Sequence, residues 1–401
     1  MTTTTREFDL VLFGASGFTG RLVAEYLARA PDRPRWAIAG RDRAKLEALG
    51  LSVQVLVADA HDRPALDALA RRTKVVCTTV GPYARHGSEL VAACAEAGTH
   101  YCDLTGEVPW MRRMIDRHHA RAAATGARIV HTCGFDSIPS DLGTWAAQQE
   151  FIARFGRPAQ RVTALFGEAS GGISGGTAAS GLELAAAADH DLEVRRLVGD
   201  PYALDPEPRG PRPPAPDDAS IGWNRHLRMF TVPFLMAQVN TRVVRRAHAL
   251  AGLPWGEGFV YREVMSTPGS ARGAVMAAAV TAGLGGISLA LRHKRLRELL
   301  AQRLPKPGEG PSRERREHGH WKTRFVAEAG TNGSVEVLVY TASDRADPGY
   351  GSTAKMLGES ALCLALDPLT SPGGVTTPSL AMGGALLDRL RRAGLTFAVA
   401  G

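Results

Sequence analysis

Over the first 130 residues, short apolar runs alternate with stretches whose apolar residues recur every three or four positions. Phe8 to Phe13 (FDLVLF) has no helical spacing and is almost wholly apolar, which predicts a strand buried on both faces of a parallel sheet. A glycine-rich turn follows, and Arg21 to Ala30 then carries Leu22, Val23, Tyr26 and Leu27 at helical spacing until Pro31 stops the run. The alternation continues with a strand at Arg35 to Ala39, a helix at Asp42 to Leu49, a strand at Val53 to Val57 and a helix at Arg63 to Ala70. Next come a strand at Lys74 to Val80 and a helix at Ser88 to Ala97, then strands at Thr99 to Asp103 and Arg128 to Thr132 around a helix at Trp110 to Thr125. About six strands joined through helices predict an α/β protein with a Rossmann, doubly wound parallel sheet and right-handed crossovers.

After Asp141 the pattern changes to a helix at Pro139 to Glu150, mixed strands, a Gly/Ser-rich stretch at Ser170 to Gly176 and an Ala-rich helical run around Thr177 to Val198. A chain of 401 residues is too long for one ordinary core, so two domains with a cleft between them are expected. The expected division is a nucleotide-binding domain over 1–140, a second α+β substrate domain over 141–350 and C-terminal helices over 351–401. Proline density from Pro201 to Pro216 forbids a helix or a central strand there and predicts a surface loop or linker without chemistry of its own. Gly273 to Leu291 runs nineteen residues without a charge, which meets the length test for a membrane span. Alanine and glycine dominate it, so a buried or interfacial helix is expected in preference to a span.

Charge adds one feature to this picture. The formal net charge is +8, and the segment Arg292 to Arg324 alone holds eleven Lys/Arg against four Asp/Glu. Such a run is usually a solvated face, but it also attracts an acidic acyl carrier protein or the anionic headgroups of a membrane surface. Nucleic acid is a poor partner for it, since only Trp321 and Phe325 are at hand for stacking. Five cysteines, an odd number without a CxxC pair, argue against a disulfide framework and against a metal site. With a polar start at Met1 to Asp9, they suit a cytoplasmic location, peripheral at the membrane if the basic segment binds lipid.

The candidate chemistry begins at Gly14, Ala15, Ser16, Gly17, Phe18, Thr19 and Gly20, between the first strand and the first helix. There a tight turn and the N-terminus of a helix present backbone N–H groups to a pyrophosphate. NAD enzymes commonly end the second strand with an acidic residue for the ribose hydroxyls, whereas this strand ends in Ala39-Gly40-Arg41. Arg41 suits a 2′-phosphate and so NADP(H), with Arg43 or Lys45 as a second charge and Asp42 as the dissenting feature. Asp59, just past the third strand, is either an adenine-end contact or a helix cap. Gly81 and Pro82 close the fourth strand beside the nicotinamide half and are expected to aim Tyr83 into the cleft.

Taken in order, GASGFTG at Gly14, AGRDRAKLEAL at Ala39, TTVGPYARHG at Thr78, AGTHYCDLTGE at Ala97 and CGFDSIPSD at Cys133 resemble the saccharopine dehydrogenase-like oxidoreductases. TAKMLG at Thr353 and GGVTTPSLAMGG at Gly373 are similar to the trans-acting enoyl reductase subgroup. The resemblance implies NADPH-dependent reduction of a carbon–carbon double bond in an enoyl thioester of polyketide or lipid type, on chains built by another protein. It also implies that the helices Thr353 to Leu366 and Pro378 to Arg392 return to pack near the Rossmann domain.

Such a reaction needs a proton donor and a partner for the enolate oxygen. No Tyr-x-x-x-Lys pair follows Tyr83, which leaves Tyr83, Asp136 and Ser137 as the catalytic candidates. One of Asp136 and Ser137 is expected to cap the helix that follows. His86, His100 and His131 are set aside as packing groups. Two rival readings are a saccharopine- or amino-acid-type dehydrogenase acting on a C–N bond and a non-catalytic NADP-binding protein of lipid surfaces. The nearly uncharged stretch from Thr163 to Thr177 suits an acyl chain better than a substrate with several carboxylates.

Overall fold

The computed structural model describes residues 6–170, 175–208, 210–303, 314, 318–331 and 334–400. The first half is a run of βα units. It comprises β1 (Phe8–Phe13), α1 (Phe18–Ala28), β2 (Trp36–Gly40), α2 (Arg43–Glu47), β3 (Gln54–Val57), α3 (Arg63–Arg72) and β4 (Thr73–Thr78). It continues with α4 (Tyr83–His86), α5 (Ser88–Ala97), β5 (His100–Cys102), α6 (Val108–Thr125), β6 (Arg128–Val130) and α7 (Ile138–Phe155). All six strands pair in parallel, and β1 is buried along its whole length, as its unbroken apolar run requires.

Beyond α7 the chain forms β7 (Arg161–Ala169), α8 (Gly175–His190), α9 (Leu192–Gly199), β8 (Gly222–Asn224), β9 (Met229–Val232), α10 (Ala237–Leu250) and β10 (Val260–Pro268). Then come α11 (Ala271–Arg292), α12 (Lys294–Arg303), β11 (Trp321–Thr331), β12 (Ser334–Asp344) and a π-helical turn at Pro348–Ser352. The chain closes with α13 (Thr353–Leu366), β13 (Gly374–Thr376), α14 (Pro378–Arg392) and β14 (Thr396–Val399). A second seven-stranded sheet runs β14-β12-β11-β7-β10-β9-β8, antiparallel except where β10 lies parallel to β7. Along β11 the residues Trp321, Phe325, Ala327 and Ala329 belong to the core under α7.

The ordering of the first sheet, β13-β6-β5-β4-β1-β2-β3, departs from expectation in one respect. Six strands were expected, and the seventh comes from Gly374–Thr376, beside β6. Three residues are too few to show a period, and only long-range pairing identifies them as a strand. The segment after residue 351 is likewise more than helices, because β14 joins the edge of the second sheet along β12.

The C-terminal helices do return to the nucleotide-binding half. Helix α13 packs on α1, β4 and β5, and α14 packs on α13 and α7. Buried Arg389 of α14 fastens them, with Nε 2.6 Å from Asp367 and one terminal nitrogen 3.1 Å from Asp32 and 3.2 Å from Glu359. Glu359 accepts a further hydrogen bond from Tyr26 of α1 at 2.5 Å.

Two expectations are corrected here. The proline-dense stretch is not merely a surface linker, because Tyr202, Ala203, Leu204 and Asp205 are buried. Arg112 of α6 donates to the Asp205 carbonyl at 2.9 Å, and Arg246 of α10 donates to the Leu204 carbonyl, so the stretch straps the two halves together. For the uncharged helix, expected to be buried or interfacial, only the buried alternative falls: in α11 just 6% of the most apolar window is buried, although the helix is long and apolar enough to cross a membrane.

Candidate active site

The loops that follow β1, β4, β5 and β6 meet along the carboxyl ends of the parallel strands, where open α/β sheets bind their ligands. Thr79 donates its hydroxyl to the Gly14 carbonyl at 3.2 Å, and Tyr83 donates to the Thr78 carbonyl at 3.2 Å. Leu104 in turn donates its N–H to the Tyr83 hydroxyl at 3.4 Å. Gly134 lies against Leu104, since a Cβ placed on it would stand 3.3 Å from the Leu104 Cβ. These contacts bring Gly14 to Gly20, Gly81, Pro82 and the 134–136 segment into one crevice.

The glycine loop is shaped as a phosphate cradle. Gly14 has φ +91°, and a Cβ on Gly20 would lie 2.1 Å from the Gly14 carbonyl oxygen, so only glycine lets α1 start so close to the turn. No side chain caps α1 and no acidic residue stands in its first turn, which leaves the N–H groups of Phe18, Thr19 and Gly20 to an anion. These features fit a dinucleotide whose pyrophosphate rests there.

At the other end of the crevice, Asp42 is resolved as a cap: its carboxylate accepts from the Lys45 N–H at 3.1 Å. Among the described residues the exposed Arg41 makes no ion pair, and it suits a 2′-phosphate. Asp59 accepts from the His61 N–H at 2.9 Å and so holds the turn after β3. His61 Nε2 sits 3.0 Å from His86 Nδ1. Burial, His61, Arg85 and Arg41 hold His86 below the ordinary imidazole range, while Asp59 pulls the other way. His86 was set aside from the sequence, yet it stands in this cationic corner with Arg41. The signal for it is spatial, because positions 41, 61 and 86 share no motif.

Three catalytic candidates fare differently. Tyr83 does not face the cleft as expected. It is 4% exposed, packs beside Trp110 with ring centroids 5.5 Å apart, and its hydroxyl is engaged by backbone on both sides. Burial, with the Asp103 charge behind it, pushes its pKa well above that of an ordinary tyrosine. Ser137 occupies the N-cap position of α7 but makes no cap; 1% exposed, it donates to Asn240 Oδ1 at 2.8 Å. Asn240 donates to Glu263 at 2.5 Å, and Tyr261 donates to the same carboxylate at 2.7 Å. Ser137 thus ties α7 to α10 and, through Asn240, to β10, and its hydroxyl proton is taken up by that contact.

Asp136 remains in the crevice. It is half-buried and caps nothing, and among the described residues its carboxylate has no hydrogen-bond partner. Burial pushes it up to about 6. Beside it, Phe135 meets Trp321 edge-on at 4.9 Å and Phe166 at 6.2 Å, and Phe166 stacks on Phe234 at 4.6 Å. This aromatic wall is anchored from the C-terminal region. Trp321 Nε1 donates to Ser352 Oγ at 2.8 Å, Ser352 donates to Asp344 at 2.7 Å, and Lys355 stands 3.0 Å from both Asp344 oxygens. Tyr350 of the π-helical turn meets Phe18 of the glycine loop edge-on at 4.8 Å.

Glu107 escaped sequence reasoning. Its two oxygens accept from the Tyr83 and Ala84 N–H groups at 2.9 and 2.7 Å, clamping the turn after β4 at the start of α4. Ser180 of α8 donates to the same carboxylate at 3.0 Å. The only clue was its place in the run DLTGE, which points to no role by itself.

Comparison with known proteins agrees with this geometry. Residues 10–130 match the saccharopine dehydrogenase NADP-binding domain, and the cofactor is NADP(H). The apo saccharopine dehydrogenase (L-Glu forming) of Saccharomyces cerevisiae superposes with a TM-score of 0.56 over 98% of this chain and 99% of its own, at 14% identity, which is a likeness of fold. A protein of Mycobacterium tuberculosis named for trans-acting enoyl reduction is 46% identical over 99% of this chain and 98% of its own length. The trans-acting enoyl reductase of Mycobacterium leprae is 42% identical, covering 97% of each chain. With an NADP-binding Rossmann half, an aromatic crevice and relatives of this identity along its full length, the chain belongs to the trans-acting enoyl reductases of the saccharopine dehydrogenase-like oxidoreductases.

Proposed function

We propose that this protein reduces the carbon–carbon double bond of an enoyl thioester carried by another protein. The observation that carries the reading is full-length identity with trans-acting enoyl reductases, joined to a crevice that sets a lone raised carboxyl beside an aromatic wall. NADPH supplies the hydride that adds to Cβ of the substrate. The first turn of α1 and the loop at Gly14 hold the pyrophosphate, Arg41 holds the 2′-phosphate, and Glu107 keeps the turn at Gly81 and Pro82 in place. Asp136, protonated more readily than an exposed aspartate, delivers the proton to Cα, while the half-buried Phe135 and Phe234, backed by the buried Phe166 and Trp321, line the path of the acyl chain and exclude water.

Loss of NADPH absorbance is the direct test, with an α,β-unsaturated acyl thioester offered free and on an acyl carrier protein. Thioester-dependent oxidation of NADPH, faster with the carrier-bound form, is the expected result. Oxidation driven only by an oxo-acid and amine mixture would replace this reading with C–N chemistry.

A further inference from the structure

We propose that α11 and α12 seat this protein on the surface of an anionic lipid bilayer. Between Arg272 and Arg292 no residue is charged, and from 282 to 289 every side-chain position except Leu284 is exposed, so in its second half the helix turns apolar surface outward on nearly every side. Val275 is 70% exposed and Leu289 is 56% exposed. A protein partner needs a complementary surface shaped to the helix, whereas the acyl chains of a bilayer take up whichever apolar side is laid against them. Exposed Arg272, Arg292, Lys294 and Arg295 flank this stretch with a single sign of charge, complementary to anionic headgroups. Trp223 of β8, 50% exposed, lies against the turn that opens α11, where an indole suits the boundary between headgroups and acyl chains.

The helix lies along the membrane and does not cross it. At about 33 Å it is long enough for a span, but both ends are fastened to the same folded body. At its start, Thr267 donates to the Gly273 carbonyl at 2.8 Å; beyond its end, Arg297 of α12 pairs with Asp189 of α8 at 2.8 Å. Helix α8 carries the arrangement to the crevice, since Ser180 touches Glu107 and Glu183 pairs with Arg85 at 3.1 Å. A bilayer under α11 and α12 is therefore one helix away from the cofactor turn. This seat stands whether or not the enoyl substrate is correct.

Vesicle flotation of the full-length protein tests it, with phosphatidylcholine alone and with added phosphatidylglycerol. Wild type is expected to float with the anionic vesicles, and the pair Val275→Asp and Leu289→Asp is expected to lower the bound fraction roughly tenfold. Arg292→Glu with Arg295→Glu is expected to lower it on anionic vesicles only. Unchanged NADPH binding, followed by fluorescence, certifies each variant as folded. Wild type left unbound by both vesicle types, or an aspartate pair that floats like wild type, would overturn the proposal. So would a wild-type dimer by light scattering that the aspartates dissociate while vesicles go unbound, which assigns the face to a second copy. Salt-sensitive capture of an acyl carrier protein by α12 without flotation would overturn it in favour of the carrier.

Discussion

The two sheets have seven strands each and are built on opposite principles. In the parallel sheet, helices cover both faces, its strands are short, and the candidate site lies in loops at the carboxyl ends of the strands. In the second sheet, β11 and β12 run eleven residues each, α7 packs one face, and buried Phe166 and Trp321 of the sheet back Phe135. The first sheet therefore offers chiefly backbone at its loops, and the second offers side chains. The lesson is that the glycine turn tolerates few residue changes, since a Cβ on Gly20 would meet the Gly14 carbonyl, while the aromatic cluster is held by packing of side chains.

The largest expected effect tests what joins the halves. Arg389→Leu leaves Asp32, Glu359 and Asp367 facing one another without their cation, and should cost about 3–5 kcal/mol in urea unfolding. A loss under about 1 kcal/mol would mean that the C-terminal helices are held by packing alone.

Asp136→Asn is next, with kcat expected to fall about a hundredfold. Because the acid form is the donor and its carboxyl is raised to about 6, wild-type turnover should decline as pH rises above that value, and the variant should lose this limb. An unchanged pH profile would take Asp136 out of the chemistry. Arg41→Ala should weaken NADPH by roughly tenfold and leave NADH affinity as it was; equal losses for both cofactors would end the 2′-phosphate assignment.

The smallest effect concerns Glu263, whose carboxyl is raised by burial to about 7 against the hydrogen bonds from Asn240 and Tyr261. A raised folded pKa stabilises the protonated form, so its contribution is full below the unfolded value near 4.5 and is lost as pH rises to about 7. Glu263→Gln should flatten the fall in melting temperature across that window; an unaltered slope would show that Glu263 ionises normally.

Much of the parallel half was legible because its signals are local. FDLVLF, the glycine turn and the helix after it occupy adjacent positions, and the strand ends fell within about two residues of their observed places. The second half was not, because β7 pairs with β11 across some 160 residues, and nothing local announces such a partner. The same distance explains the site. Arg41 and the glycines follow from a strand–turn–helix order, but the turning of Ser137 toward Asn240 and of Glu107 toward Tyr83 depends on segments that meet only in the fold. Tyr83 misled for a related reason: its motif marks a turn correctly, but whether a side chain at a turn faces solvent or core depends on Trp110 and Leu104, which lie more than twenty positions on.

Both sheets receive an edge strand from the last thirty residues of the chain, β13 beside β6 and β14 beside β12. During synthesis, neither half can therefore close before the segment from 374 to 399 has left the ribosome. A nascent or prematurely terminated chain would present two unpaired strand edges at once, the kind of surface that recruits chaperones or self-associates. Production of this protein is accordingly expected to be more sensitive to a stop codon near residue 370 than to a lesion of comparable size in the exposed helix α11.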